Sequence, residues 1–194
     1  MSDASFAFTL RASLAVDLPP APSEQAALEA VLDKLAPLFE ASPLVDGERV
    51  GALFIVTEDA GSATAVQFWR DAREAGPALA RPGAFPWCLA NAPGATLARR
   101  FAVTGANVTW LVRTLDEGAA FDAPAAGLSA HLQAVSSSAQ PPQAWLVAMR
   151  FGVPRPRLVA WHSLAGEGGG QGIDTLAALS GQLARDWASA ASAS

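Results

Sequence analysis

The residues best placed for chemistry fall in Phe101 to Phe121, FAVTGANVTWLVRTLDEGAAF. An apolar run from Asn107 to Val112 breaks into the turn Arg113-Thr114-Leu115-Asp116-Glu117-Gly118, and a helical pattern follows. A strand entering a tight turn and then a helix N-terminus exposes one side chain beside free backbone N–H groups. Many α/β enzymes hold a nucleophile in that geometry. This turn contains neither Cys nor Ser. Its hydroxyl is Thr114, a weak nucleophile without a positioned base. Asp116 and Glu117 read as acids favoured by the dipole of the next helix.

The remaining reactive groups are sparse. Cys88 is the single cysteine, in a Pro/Gly-punctuated loop beside Phe85-Pro86-Trp87, with no neighbouring base to lower its pKa. It reads as a packed thiol. His131 and His162 are the only histidines; neither has a metal-type neighbour at ligand spacing, and both read as surface or interface residues. No metal and no cofactor is expected. Gly127-Leu128-Ser129-Ala130-His131 imitates a nucleophile elbow, but its serine falls inside a helical pattern. The run GEGGGQG lacks the spacing of a dinucleotide or phosphate loop and reads as a linker. An acyl-transfer or thioester-hydrolysing enzyme using Ser129, His131 or Cys88 stays open as an alternative.

Around these residues the elements follow from pattern. Ser5 to Leu18 is extended, and Ser23 caps a helix to Glu40 that Pro37 should kink. Val50 to Thr57 is a strand buried on both faces, and a helix runs from Gly61-Ser62 to Ala75. Residues 76–94 form a long loop, a short helix spans Pro93 to Phe101, and another runs from Ala119 to Val135 with Pro124 in its first turn. Gln143 to Arg150 and Arg157 to Ser163 form a hairpin. The expected organisation is one α/β domain over 1–165, a linker at 166–173, a helix at 174–188 and a disordered tail at 189–194.

Composition narrows the partners. A net charge of −5 and a pI near 4.9 argue against nucleic acid and against an anionic membrane. The chain is 51% hydrophobic and only 16% charged. Either its alanines inflate the apolar count or a large surface is buried against a partner. No basic leader and no apolar run of bilayer length is present in the sequence, so a cytoplasmic protein is expected.

The order of several short motifs carries a resemblance. Gly51-Ala52-Leu53-Phe54-Ile55-Val56-Thr57-Glu58 leads to a helix ending at Gly76-Pro77. Then come Phe85-Pro86, Asn91-Ala92-Pro93-Gly94 and Gly105-Ala106-Asn107-Val108-Thr109. Over roughly Val50 to Met149 the chain resembles the N-terminal half of a β-ketoacyl synthase of the thiolase-like superfamily. The resemblance implies a thiolase-like half domain, a mixed sheet with helices packed on it. In ketosynthases the nucleophilic cysteine lies seven residues after the Asn of the last motif; here that position is Thr114. The helix-start glycine is displaced, Gly94 standing one residue early and Ala95 in its place. The chain also ends before a second half carrying the family's other catalytic residues could begin. The resemblance therefore implies a non-catalytic subunit like a chain-length factor, of a bacterial type II fatty acid, polyketide or aryl polyene pathway. Its expected partners are a full-length ketosynthase, as a heterodimer, and an acyl carrier protein; a homodimeric acyl- or carrier-binding module is the other alternative. The expected interface or acyl-channel residues are Phe85, Trp87, Asn107, Thr109, Trp110 and Arg113.

Overall fold

The structure, a computed structural model, describes residues 8–79, 82–135, 142–152, 155–165, 171–173 and 175–192. Eight strands are present among the described residues: β1 (Phe8–Asp17), β2 (Arg49–Val50), β3 (Ala52–Thr57), β4 (Val103–Thr104), β5 (Asn107–Leu111), β6 (Gln143–Arg150), β7 (Arg157–Ala165) and β8 (Gln171–Ile173). The α-helices are α1 (Glu24–Glu29), α2 (Leu32–Glu40), α3 (Ser62–Ala75), α4 (Ala92–Phe101), α5 (Asp122–Ala134) and α6 (Leu176–Ser192).

The main sheet has six strands in the order β5-β3-β6-β7-β1-β8. β3 pairs in parallel with β5 and with β6, while β6–β7, β7–β1 and β1–β8 are antiparallel. Every residue of β3 is buried, as its unbroken apolar run requires of a strand covered on both faces. The fold is α/β, a mixed sheet with helices packed on it, as expected.

Alternation along the strands feeds two cores. Phe54, Val56, Leu146 and Trp161 face α5 and α6, meeting Leu128, Leu132, Leu179, Leu183 and Trp187. Leu53, Ile55, Trp145, Val147 and Leu158 face the other way, against Leu28, Leu35, Phe39, Leu97 and Phe101. α1, α2 and α4 therefore present apolar side chains to one sheet face and α5 and α6 to the other, whereas α3 contributes to neither core and leaves Val66 and Trp69 exposed.

Several boundaries differ from the sequence reading. The break after Ser23 falls at Ala30–Val31, and Pro37 sits inside α2, forfeiting one backbone hydrogen bond without ending the helix. The stretch 76–94 is largely 3-10 turns, Pro77–Leu79 and Pro82–Cys88, leading into α4. Of the expected linker, 166–170 lies outside the described residues, and Gln171–Ile173 is a strand that pairs with β1 rather than a spacer. The last helix runs to Ser192, beyond the expected 188, and packs into the core through Leu179 and Leu183, both fully buried. It is part of the domain, because those leucines find the apolar face that β6, β7 and α5 leave open.

Candidate functional site

The parallel strands β3, β5 and β6 end together, and the outer side of such carboxyl ends is where open α/β sheets hold their sites. Three groups converge there: Glu58 after β3, the elbow 113–118 after β5, and Arg150 at the end of β6. The elbow is pinned. The N–H of Leu115 donates to Glu58 Oε2 at 2.7 Å, and the N–H of Asp116 donates to Thr114 Oγ1 at 3.3 Å. Arg150, 6% exposed, forms ion pairs with Glu58 and, at 2.8 Å, with Asp116. Its Nε faces Glu58 Oε1 as a charge contact without hydrogen-bond alignment.

A residue from the far end of the chain closes the cluster. Trp187 of α6 donates its indole N–H to Asp116 Oδ1 at 3.3 Å. The Arg150 and Arg157 guanidiniums lie 5.4 and 5.7 Å from its ring. The hydrogen bond from Arg150, with that of Trp187, holds the Asp116 carboxyl below the usual carboxylate range. Asp116 is therefore an ion-pair partner of Arg150, and Glu117 pairs with Arg113 at 2.6 Å, rather than both serving the dipole of the next helix. Sequence spacing gave no sign of this, because Arg150 and Trp187 arrive from distant elements.

Chemically the arrangement is closed. The elbow amide of Leu115 is already occupied by Glu58. The Thr114 hydroxyl serves the local turn, and no histidine reaches it among the described hydrogen bonds. The glycine before β5, Gly105, has φ 124°, and a Cβ there would strike the Gly51 carbonyl, which explains the Gly-Ala-Asn turn that aims the strand.

The expected interface residues divide into groups. Asn107, Thr109 and Trp110 lie on β5, an edge strand of the described sheet, and Arg113 follows it with its side chain 84% exposed. Trp110 packs inward, against Phe54 at 5.3 Å and the backbone of Gly127. Phe85 is exposed in a 3-10 turn and touches Phe68 of α3, whereas Trp87 packs on the core beneath.

The rival catalytic residues are not brought together. Ser129 accepts from Gln133 along α5, and His131, two residues on, turns to the edge of Phe54 at 5.9 Å. Cys88 Sγ donates to the Ala84 carbonyl at 3.5 Å, and desolvation followed by the charge of Glu24 pushes its pKa up, so the thiol stays protonated. Among the described residues no group of three or more His, Cys, Asp and Glu could hold a metal ion.

His162 is the correction among the histidines. It is 1% exposed, stacked on Trp145 at 5.1 Å, with Nε2 3.1 Å from Ser42 Oγ. Burial and then the charge of Arg11 lower its pKa from 6.5 to about 4. The unfolded chain binds this proton more readily than the native protein, so stability falls as pH drops from the unfolded towards the folded pKa. About 2 kcal/mol should be lost on going from about pH 7 to about pH 5. Urea titrations at the two pH values check this; His162→Gln should remove that portion of the loss, and an unchanged pH dependence would refute it.

No protein family and no curated protein matches the chain. Among solved structures, an acyltransferase named ChlB3 is similar at 16% identity with a TM-score of 0.40. The match covers 84% of this chain and 51% of that one, so the chain spans about half the length of ChlB3. No helix of the described residues is long and apolar enough to cross a membrane.

Proposed function

We propose that the protein is a non-catalytic, ketosynthase-like subunit that pairs through β5 with a full-length ketosynthase and bounds its acyl channel, in the manner of a chain-length factor. The observation that supports this reading is the state of the elbow. It sits after an edge strand at the carboxyl end of parallel strands, carries no thiol, and is tied shut by Glu58, Arg150 and Asp116. An elbow so held serves shape rather than turnover.

The strand beside it is open to pairing. Leu53 N–H donates to the Ala106 carbonyl and Val112 N–H to the Thr57 carbonyl. The ladder to β3 thus uses alternate residues, and the N–H groups of Asn107, Thr109 and Leu111 point to the free edge. Val108 and Leu111 are exposed apolar side chains on that strand. An uncovered apolar edge invites another strand.

The test is co-expression with a full-length ketosynthase encoded beside this protein, read by native mass spectrometry. A one-to-one complex is expected. Leu111→Pro removes an edge-facing N–H and spares the β3 ladder, so it should weaken pairing about tenfold or more, with the isolated subunit's stability unchanged. Two separate species with the unaltered chain, or a complex indifferent to Leu111→Pro, would refute pairing through β5. Thioester hydrolysis by the isolated chain, lost on Cys88→Ala or His131→Ala, would favour an enzyme instead.

A further inference from the structure

α3 stands apart from both cores. Of its 14 residues only Ala72 is buried, and Phe68 meets the ring of Phe85, in the 3-10 turn Pro82–Cys88, at 6.0 Å. Both ends of the helix are glycines with positive φ, 83° at Gly61 and 92° at Gly76. A Cβ at Gly61 would lie 2.8 Å from the Cys88 carbonyl oxygen, whereas one at Gly76 would meet nothing within 4 Å. Gly76 thus serves backbone freedom rather than a close approach. A helix bracketed by two such residues has a hinge at each end.

A side chain from another element holds α3 down. Glu24, the first residue of α1, accepts from the Gly61 N–H on Oε2 at 2.6 Å and from the Ala63 N–H on Oε1 at 3.1 Å. These are donors that a helix start leaves free. Glu24 is 6% exposed, and the ion pairs among the described residues do not include it. Its own helix is firmly seated, with Ala27 and Leu28 in the core and Ser23 as the cap. The latch is less secure than its post. Burial, opposed by the helix-start amides and reinforced by the charge of Asp59, raises the Glu24 pKa, so the carboxylate recovers solvation when α3 leaves. The Asp59 carboxylate does not hold α3, because it accepts from the N–H groups of Phe151 and Gly152.

Two cavities meet at this contact. One of about 490 Å³ reaches towards Pro19, Phe151 and Pro156, and one of about 370 Å³ towards Gln67 and Ala84. Glu24 and Ala63 line both, so their hydrogen bond forms part of the wall between them. We propose that α3 is a hinged lid, latched by Glu24 and turning on Gly61 and Gly76, whose opening joins the two cavities. Little packing opposes the motion, since α3 surrenders Ala72 and the Phe68–Phe85 contact but no residue of either core. The device is independent of pairing through β5.

Native-state hydrogen exchange of the full chain, read residue by residue by NMR at increasing urea, tests it. The amides from Val66 to Ala75 are expected to share one opening, about a hundredfold or more above the exchange of β3 and β6 and with a shallower urea dependence. Glu24→Gln keeps the size and loses the charge, and should speed α3 exchange about tenfold. Glu29→Gln, an exposed carboxyl on the same helix α1, should leave it unchanged. The lid is overturned by α3 amides that exchange with the core, by α3 amides that exchange independently of one another as fraying would give, or by equal behaviour of the two variants. The first two outcomes are read in the unaltered chain, so they decide even where Glu24→Gln does not fold.

Discussion

Trp187→Ala is expected to destabilise the protein by about 3–5 kcal/mol, the cost of emptying a large core position. Trp187 is 2% exposed although it lies near the end of the chain, and it packs with Leu179 and Leu183 on the face built by β6, β7 and α5. The loss exceeds volume alone. Two guanidiniums lie over its ring, and its indole N–H reaches Asp116, so the variant also uncovers Arg150 and loosens the elbow. Trp69→Ala on α3 is the matched control. That ring is 66% exposed, and its removal should change stability by no more than about 0.5 kcal/mol. Urea unfolding of the two variants checks the contrast; equal effects would show that α6 is not integral to the core.

Arg150→Met should cost about 3 kcal/mol. Removing one member of a buried ion pair leaves its partner charged and unpaired, typically about 3–5 kcal/mol. The lower end applies because Asp116 has a 63% exposed side chain and water recovers part of its loss, whereas Glu58 is only 16% exposed. The double variant Glu58→Gln/Arg150→Met should lose much less than the two single losses added, since the uncompensated charge has gone. Asp116 adds a pH signature. Its folded pKa is depressed, so its contribution is present above the unfolded value and is lost as pH falls through the folded one. In Arg150→Met most of that acid limb should vanish, because Arg150 is its first cause. Additive losses in the double variant would remove the cluster from the account of the elbow.

Both predictions bear on function through the same residues. The elbow keeps a fixed shape because charges from β3 and β6 and an aromatic ring from α6 converge on it. Under the proposed reading, a subunit that shapes a partner's channel needs a rigid contour more than a reactive group.

Local signals in the amino-acid order determined a good part of this. The mostly apolar run at Val50–Thr57 pointed to a strand covered on both faces, which forms over Ala52–Thr57; the alternation near the N-terminus gave an extended segment, and Arg113–Gly118 a turn without a thiol. Periodicity and turn chemistry act between near neighbours, so they can be read without a fold. Only the tertiary structure decided that β5 is an edge, that Asp116 answers Arg150 and Trp187, and that His162 lies buried against Ser42 and Gln143. Those contacts join residues up to 120 positions apart, and their strength comes from shared burial, which no single segment possesses before the chain has folded.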